Sequence, residues 1–195
     1  MERLCRRNLQ AYSEFYGGKR IVFPSLYFEI LPDQRKAIEF RFKQGKIMKI
    51  EIAADHAGFE EKEKIKKTLD SIGADYTDMG TDSTVSVDYP DFARKVGEAV
   101  ADGEYDRGIL VCGSGTGMAI AANKVPGVRA AVAWNEEIAR LSRQHNNANV
   151  LSLAARYIPD EEQEKIVKAW LETDFEGGRH ERRVEKIEQI EKEDE

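Results

Sequence analysis

The chain has 195 residues, 41% hydrophobic and 34% charged, with a formal net charge of −6; that is enough for one domain of ordinary size with a full core, plus an appendage. No apolar run approaches the roughly 20 residues that a membrane helix needs, which describes a soluble protein with no membrane association. Residues 1–47 carry ten Lys and Arg against five Asp and Glu, and the remainder twenty against thirty-one; a body that acidic argues against nucleic-acid binding, which neutralises phosphates with many basic side chains.

In chain order, residues 1–47 are aromatic-rich and without a clear period, and are read as an N-terminal extension of unassigned role. An upstream start, an accessory segment and a targeting sequence are its alternatives, and Glu14, Glu29 and Glu39 count against a transit peptide. From residue 48 to 195 the pattern is regular. "MKIEIAA" is a strand, and "FEEKEKIKKTLDSIG" an amphipathic helix with Ile65, Leu69 and Ile72 on one face and Gly73 as its stop. "ADYTDMG" is a weaker strand, and Pro90 opens a helix with Phe92, Val96 and Val100 four apart. "RGILVC" and "VRAAVAW" are strands three and four, separated by the helix "GMAIAANKV". "NEEIARLSRQH" is a helix, "NVLSLAA" strand five, "PDEEQEKIVKAWLET" a helix, and a charged helix runs from about His180.

Strands that alternate with helices over short loops imply an α/β fold: a doubly wound, five-stranded parallel sheet with a C-terminal helix. The commonest order, 2-1-3-4-5, puts the topological switch between strands one and three, and ligands bind beyond their carboxyl ends. The loops there read "ADHAGFE" and "CGSGTGM", so Asp55 and His56 are expected to face Cys112 and Ser114 across one cleft.

Gly113, Gly115 and Gly117 precede a helix, which leaves backbone N–H groups free for an anion or a developing oxyanion. A dinucleotide fingerprint would follow the first strand with an acid about 20 residues on; these glycines follow the third, and neither Arg129 nor its neighbours is acidic. Cys112 stands just before that helix N-terminus, which favours a thiolate, either a nucleophile with a histidine partner such as His145 or a base beside an oxyanion site. Cys5 is far away and no Cys-x-x-Cys occurs, so no disulfide framework is implied and a reducing, cytoplasmic setting fits. His56, His145 and His180 all stand in polar contexts. Arg179 and Arg183 are four apart on one helix face and could grip one phosphate, and Arg156 follows strand five towards the same edge as the loops. No motif offers a metal-ligand cluster, and no metal or cofactor is expected.

From residue 48 to about 187 the chain resembles the ribose-5-phosphate isomerase B family, which also contains the galactose-6-phosphate isomerase subunits. The resemblance rests on "ADHAGFE", "DYPDFA", "GILVCGSGTGMAIAANKVPGVRAA", "HNNANVL" and "GGRHERRV", in one order and at matching spacing. It implies Cys112 as the base that moves a proton between the first two carbons, and the backbone of Gly113 to Gly117 as the enediolate loop, with Ser114 and Thr116 beside the sugar. It implies Asp55 and His145 at the sugar hydroxyls, with His145 opening the ring. His56, Arg156, Arg179 and Arg183 then take the phosphate, and Tyr89 and Asn146 line the cleft. A homodimer, or a dimer of dimers, with a shared active site is also implied. Met118 stands where one branch has a glutamate base, and Asn147 where Asp is commoner. The expected activity is interconversion of ribose 5-phosphate and ribulose 5-phosphate; the alternatives are a six-carbon sugar phosphate as substrate, or a non-catalytic sugar-phosphate-binding protein.

Overall fold

The computed structural model describes residues 48–193; the expectations for residues 1–47 lie outside them. Five parallel strands, β1 (Lys49–Ala54), β2 (Asp75–Asp78), β3 (Arg107–Cys112), β4 (Ala130–Val132) and β5 (Val150–Ala154), alternate with the helices α1 (Phe59–Ser71), α2 (Tyr89–Ala101), α3 (Thr116–Ala122), α4 (Glu136–Asn146) and α5 (Asp160–Glu172). A final helix, α6 (Glu181–Glu193), follows. The chain is therefore the doubly wound α/β protein that its alternating pattern implies.

Period-two alternation in the central strands feeds two cores. Ile50, Ile52, Ile109, Val111, Leu151 and Leu153 face Ile65 and Leu69 of α1 and Ile166 and Trp170 of α5. Ala53, Leu110, Cys112 and Val150 face Val96 and Val100 of α2 and Met118 and Ala122 of α3. No described helix is long and apolar enough to cross a membrane.

The strand order is β2-β1-β3-β5-β4, which exchanges the last two strands of the expected 2-1-3-4-5. Cys112 pairs with Ala154 of β5, while β4 pairs with β5 alone. Burial explains the exchange. All five residues of β5 are buried, as a strand with neighbours on both sides requires, whereas β4 has three residues, each half-buried. Short strands suit sheet edges. The switch between β1 and β3 is unaffected.

Helix ends follow local chemistry. The Asn135 side chain accepts from the Ile138 N–H at 2.8 Å and caps α4. At its other end Asn147 has φ 48°, a left-handed conformation that Asn tolerates, and its Oδ1 accepts from Arg143 Nη1 at 2.9 Å.

One residue breaks the alternation. Glu51, in the interior strand β1, is fully buried, and neither carboxylate oxygen has a hydrogen-bond partner among the described residues. Burial, with a smaller contribution from Glu104, raises its pKa from the ordinary 4.5 to about 7. A carboxyl whose folded pKa exceeds its unfolded value contributes most below the unfolded pKa, and that contribution disappears as pH rises through the folded one. Thermal melts should therefore show stability falling between pH 4.5 and pH 7, and Glu51→Leu should flatten that slope and stabilise the protein at pH 8 by about 2 to 3 kcal/mol. An unchanged pH profile in the variant would contradict this.

Candidate active site

The carboxyl ends of β1 and β3 lie side by side, with Ala54 in register with Val111. One residue further, the Asp55 N–H donates to the Val111 carbonyl at 3.2 Å. The Asp55 carboxylate turns back, and its Oδ1 accepts from the N–H groups of Ala57 at 3.0 Å and Gly58 at 2.9 Å. Those bonds close the turn just before α1, where the Gly58 N–H also donates to the Asp55 carbonyl at 3.1 Å. Neither engages Oδ2. Gly58 allows the helix to start this close to β3, since a Cβ there would lie 2.2 Å from the Val111 oxygen.

His56 follows directly. Its Nδ1 accepts from the Val87 N–H at 3.3 Å, so the neutral ring carries its proton on Nε2 and presents a donor there. Cys112 ends β3 and is 4% exposed, in the cluster that contains Met118. The glycine loop leaves from it, pinned by β5. The Ala155 N–H donates to the Cys112 carbonyl at 3.0 Å and the Arg156 N–H to the Gly113 carbonyl at 3.2 Å. The Ser152 hydroxyl donates to the Gly115 carbonyl at 2.6 Å.

At Gly113 a Cβ would meet Ala57 Cβ and Arg156 Cδ and Nε, each at 3.6 Å, so Arg156 and the Asp55 turn flank the loop. Gly115 has φ 73°, the left-handed region that favours glycine. Tyr89, at the start of α2, reaches over α3, with its Cζ 2.8 Å from where a Gly117 Cβ would stand. Ser114 and Thr116 are exposed between these glycines. The structure thus brings together Asp55, His56, Tyr89, Cys112, the residues from Gly113 to Gly117, and Arg156.

The remaining expected residues stand elsewhere. His145 and Asn146 close α4 just before β5 begins at Val150, in register with Gly108 and Ala130 at the amino ends of β3 and β4. Cys112 pairs with Ala154 at the opposite end, and four strand steps span about 13 Å. One chain therefore does not place His145 beside Cys112. At the amino end the rings of His145 and His180 stack with centroids 4.1 Å apart and planes 1° from parallel. His180, 4% exposed, accepts at Nε2 from Arg179 Nε at 3.1 Å. Arg183 lies one turn along, where its N–H donates to the His180 carbonyl at 3.0 Å. Desolvation, followed by the charges of His145, Arg179 and Arg183, pushes the His180 pKa below its ordinary value.

Among the described residues, His145, Glu176 and His180 bring metal-type donor atoms within 4.8 Å of one another. Their arrangement does not suit a cation. The His180 Nε2 lone pair is occupied by Arg179, parallel rings aim their lone pairs side by side instead of at one point, and the neighbouring arginines repel positive charge.

Sequence reasoning missed three supports. Lys62 is 1% exposed, one of four lysines in α1, and nothing in the sequence sets it apart from the other three. Ser152 lies in an apolar strand with no motif around it. The stacking partner of His145 is His180, which the sequence marks only as a histidine in a polar context.

Fold and site together define a doubly wound α/β enzyme with a thiol, a glycine loop and basic side chains at the edges of its sheet. The comparisons agree. Residues 50–187 match the Ribose/Galactose Isomerase family, and the chain belongs to that family. It is 48% identical over 143 residues to ribose-5-phosphate isomerase B of Escherichia coli, covering 73% of this chain and 96% of that one. Ribose-5-phosphate isomerase B of Clostridium thermocellum superimposes with a TM-score of 0.75 at 51% identity, over 76% of this chain and all of the other. The enzyme of Mycoplasma genitalium, solved with bound ribulose-5-phosphate, gives 0.72 at 46% identity, over 75% and 97%.

The close approach at Gly58 is directly testable. Gly58→Ala should force α1 away from β3 and destabilise the protein by about 2 kcal/mol or more, lowering Tm by several degrees in calorimetry; an unchanged Tm would refute the contact.

Proposed function

We propose that residues 48–195 form an isomerase domain that interconverts ribose 5-phosphate and ribulose 5-phosphate, in a site completed by a second copy of the chain. The observation that carries this reading is the division of the expected residues between the two ends of one sheet. Two copies arranged so that the carboxyl end of one sheet meets the amino end of the other would supply both sets. Identity to ribose-5-phosphate isomerases at 48% and 51% supports the substrate.

On this reading His145 of the second copy opens the sugar ring. The Cys112 thiolate then removes the C2 proton, the N–H groups of the glycine loop stabilise the charge on the cis-enediolate, and the proton returns at C1. Asp55 Oδ2, Ser114 and Thr116 orient hydroxyls, and Tyr89 and the second copy's Asn146 line the cleft. His56 through Nε2–H, Arg156, and Arg179 and Arg183 of the second copy hold the phosphate. A cytoplasmic location accords with a free cysteine in a catalytic role. No step needs a metal.

The assay is ribulose 5-phosphate formation by the purified protein in excess chelator. Turnover should persist, and a chain inactive on ribose 5-phosphate would remove the proposal. Cys112→Ala should lower kcat by on the order of 10² to 10⁴ with little effect on KM; near-full activity would remove the base. Mixing inactive Cys112→Ala and His145→Ala chains tests the shared site. If each site takes its thiol and imidazole from different copies, reassociation restores about a quarter of wild-type activity, because half of the random dimers each contain one intact site. No recovery after demonstrated subunit exchange would mean that each chain carries its own complete site.

A further inference from the structure

Lys62 is a buried cation on α1, the helix that follows the Asp55 turn, and no step of the chemistry above uses it. Its ammonium lies 2.6 Å from both Asp78 oxygens and donates to the Gly80 carbonyl at 2.7 Å. Phe59 places its ring 5.6 Å from the same nitrogen. Lys66 also donates to Asp78, at 2.8 Å. Burial alone would raise the Asp78 pKa, but the hydrogen bonds from Lys62, Lys66 and the Gly80 N–H outweigh it and hold the carboxylate below its ordinary value.

The anchored residues begin the connection from β2 to α2. Beyond the paired strand, the Met79 N–H donates to Ile52 O at 2.9 Å and the Thr81 N–H to Ala54 O at 3.2 Å. The connection thus lies along β1 up to the residue before Asp55. Gly80 makes this possible, since a Cβ there would be 2.6 Å from Ala53 Cβ and 2.8 Å from the Ala54 nitrogen. Further along, Val87 supplies the N–H that fixes His56, and Tyr89 follows two residues later.

We propose that Lys62 is a positioning residue for substrate binding: by clamping Asp78 and Gly80 it seats the β2–α2 connection, whose Val87 amide sets the tautomer and direction of His56. This rests on the proposed reading, in which His56 binds the phosphate. Lysine suits the task because three rotatable donors on one compact ammonium reach two carboxylate oxygens and a carbonyl together. Its effect passes through His56, so it should govern affinity more than the proton transfer at Cys112.

The test is a double-mutant cycle on ribose 5-phosphate turnover. Lys62→Met should raise KM by about tenfold with kcat within about threefold, yet in a His56→Ala background should raise KM by less than about twofold, because the residue through which it acts is gone. Equal KM effects in both backgrounds, or a fall in kcat at unchanged KM, would overturn the proposal. If Lys62→Met does not fold, Val87→Pro deletes the donor to His56 while leaving Lys62 and Asp78 intact; the same rise in KM is expected, and an unchanged KM overturns the link. An unaltered chain that fails to isomerise ribose 5-phosphate refutes the proposed function instead, so the two failures are distinguishable.

Discussion

The hydrogen bond from the Asp55 amide to the Val111 carbonyl carries the pairing of β1 and β3 one residue past the strands, and the site is arranged around that point. Because the ladder is held to its end, the two chains leave the sheet side by side. The Asp55 carboxylate then closes the turn that leads into α1, and the absence of a side chain at Gly58 lets that helix begin against β3. His56 is fixed between these bonds, one residue from Asp55. Both of those bonds fall on Oδ1, and in the proposed reading Oδ2 is the oxygen that meets the sugar. The turn is therefore ordered before any sugar arrives, so less ordering remains for binding to supply.

The second constraint is the position of β5. Its neighbour is β3, so Ser152, Ala155 and Arg156 hold the carbonyls of Gly115, Cys112 and Gly113. With these carbonyls held from the β5 side, the loop amides would be left for the enediolate in the proposed mechanism. Had β4 stood beside β3, Arg156 would have been a strand further away. The same geometry keeps His145, His180 and Arg179 at the far end of the sheet from Cys112. A fold that puts Cys112 and His145 at opposite ends of one sheet makes assembly a condition of the proposed catalysis, and links activity to protomer concentration.

Much of this was legible from residue order. Alternating apolar runs gave five strands and their intervening helices, because period two and period 3.6 leave different marks. The switch-point rule placed Asp55, His56, Cys112 and Ser114 together without any contact being known, and Tyr89 and Arg156 join them. The exchange of β4 and β5 was not legible, although the brevity of β4 is in hindsight the clue: pattern fixes which strands exist, and packing decides which are central. Lys62 escaped for a related reason. Burial of one lysine among several depends on where Asp78 and the Gly80 carbonyl come to lie, sixteen and eighteen residues away.

The sequence by itself determined the class of fold, the edge of the sheet where chemistry would gather, and the family, since each follows from local periodicity or from motifs in a fixed order. Only the tertiary structure decided that β5 adjoins β3, that Glu51 is buried in the core, and that His145 and Cys112 occupy opposite ends of the sheet. Those outcomes depend on long-range packing and on distances through space. A linear chain encodes them through the sum of its contacts, and no single stretch of residues spells them out.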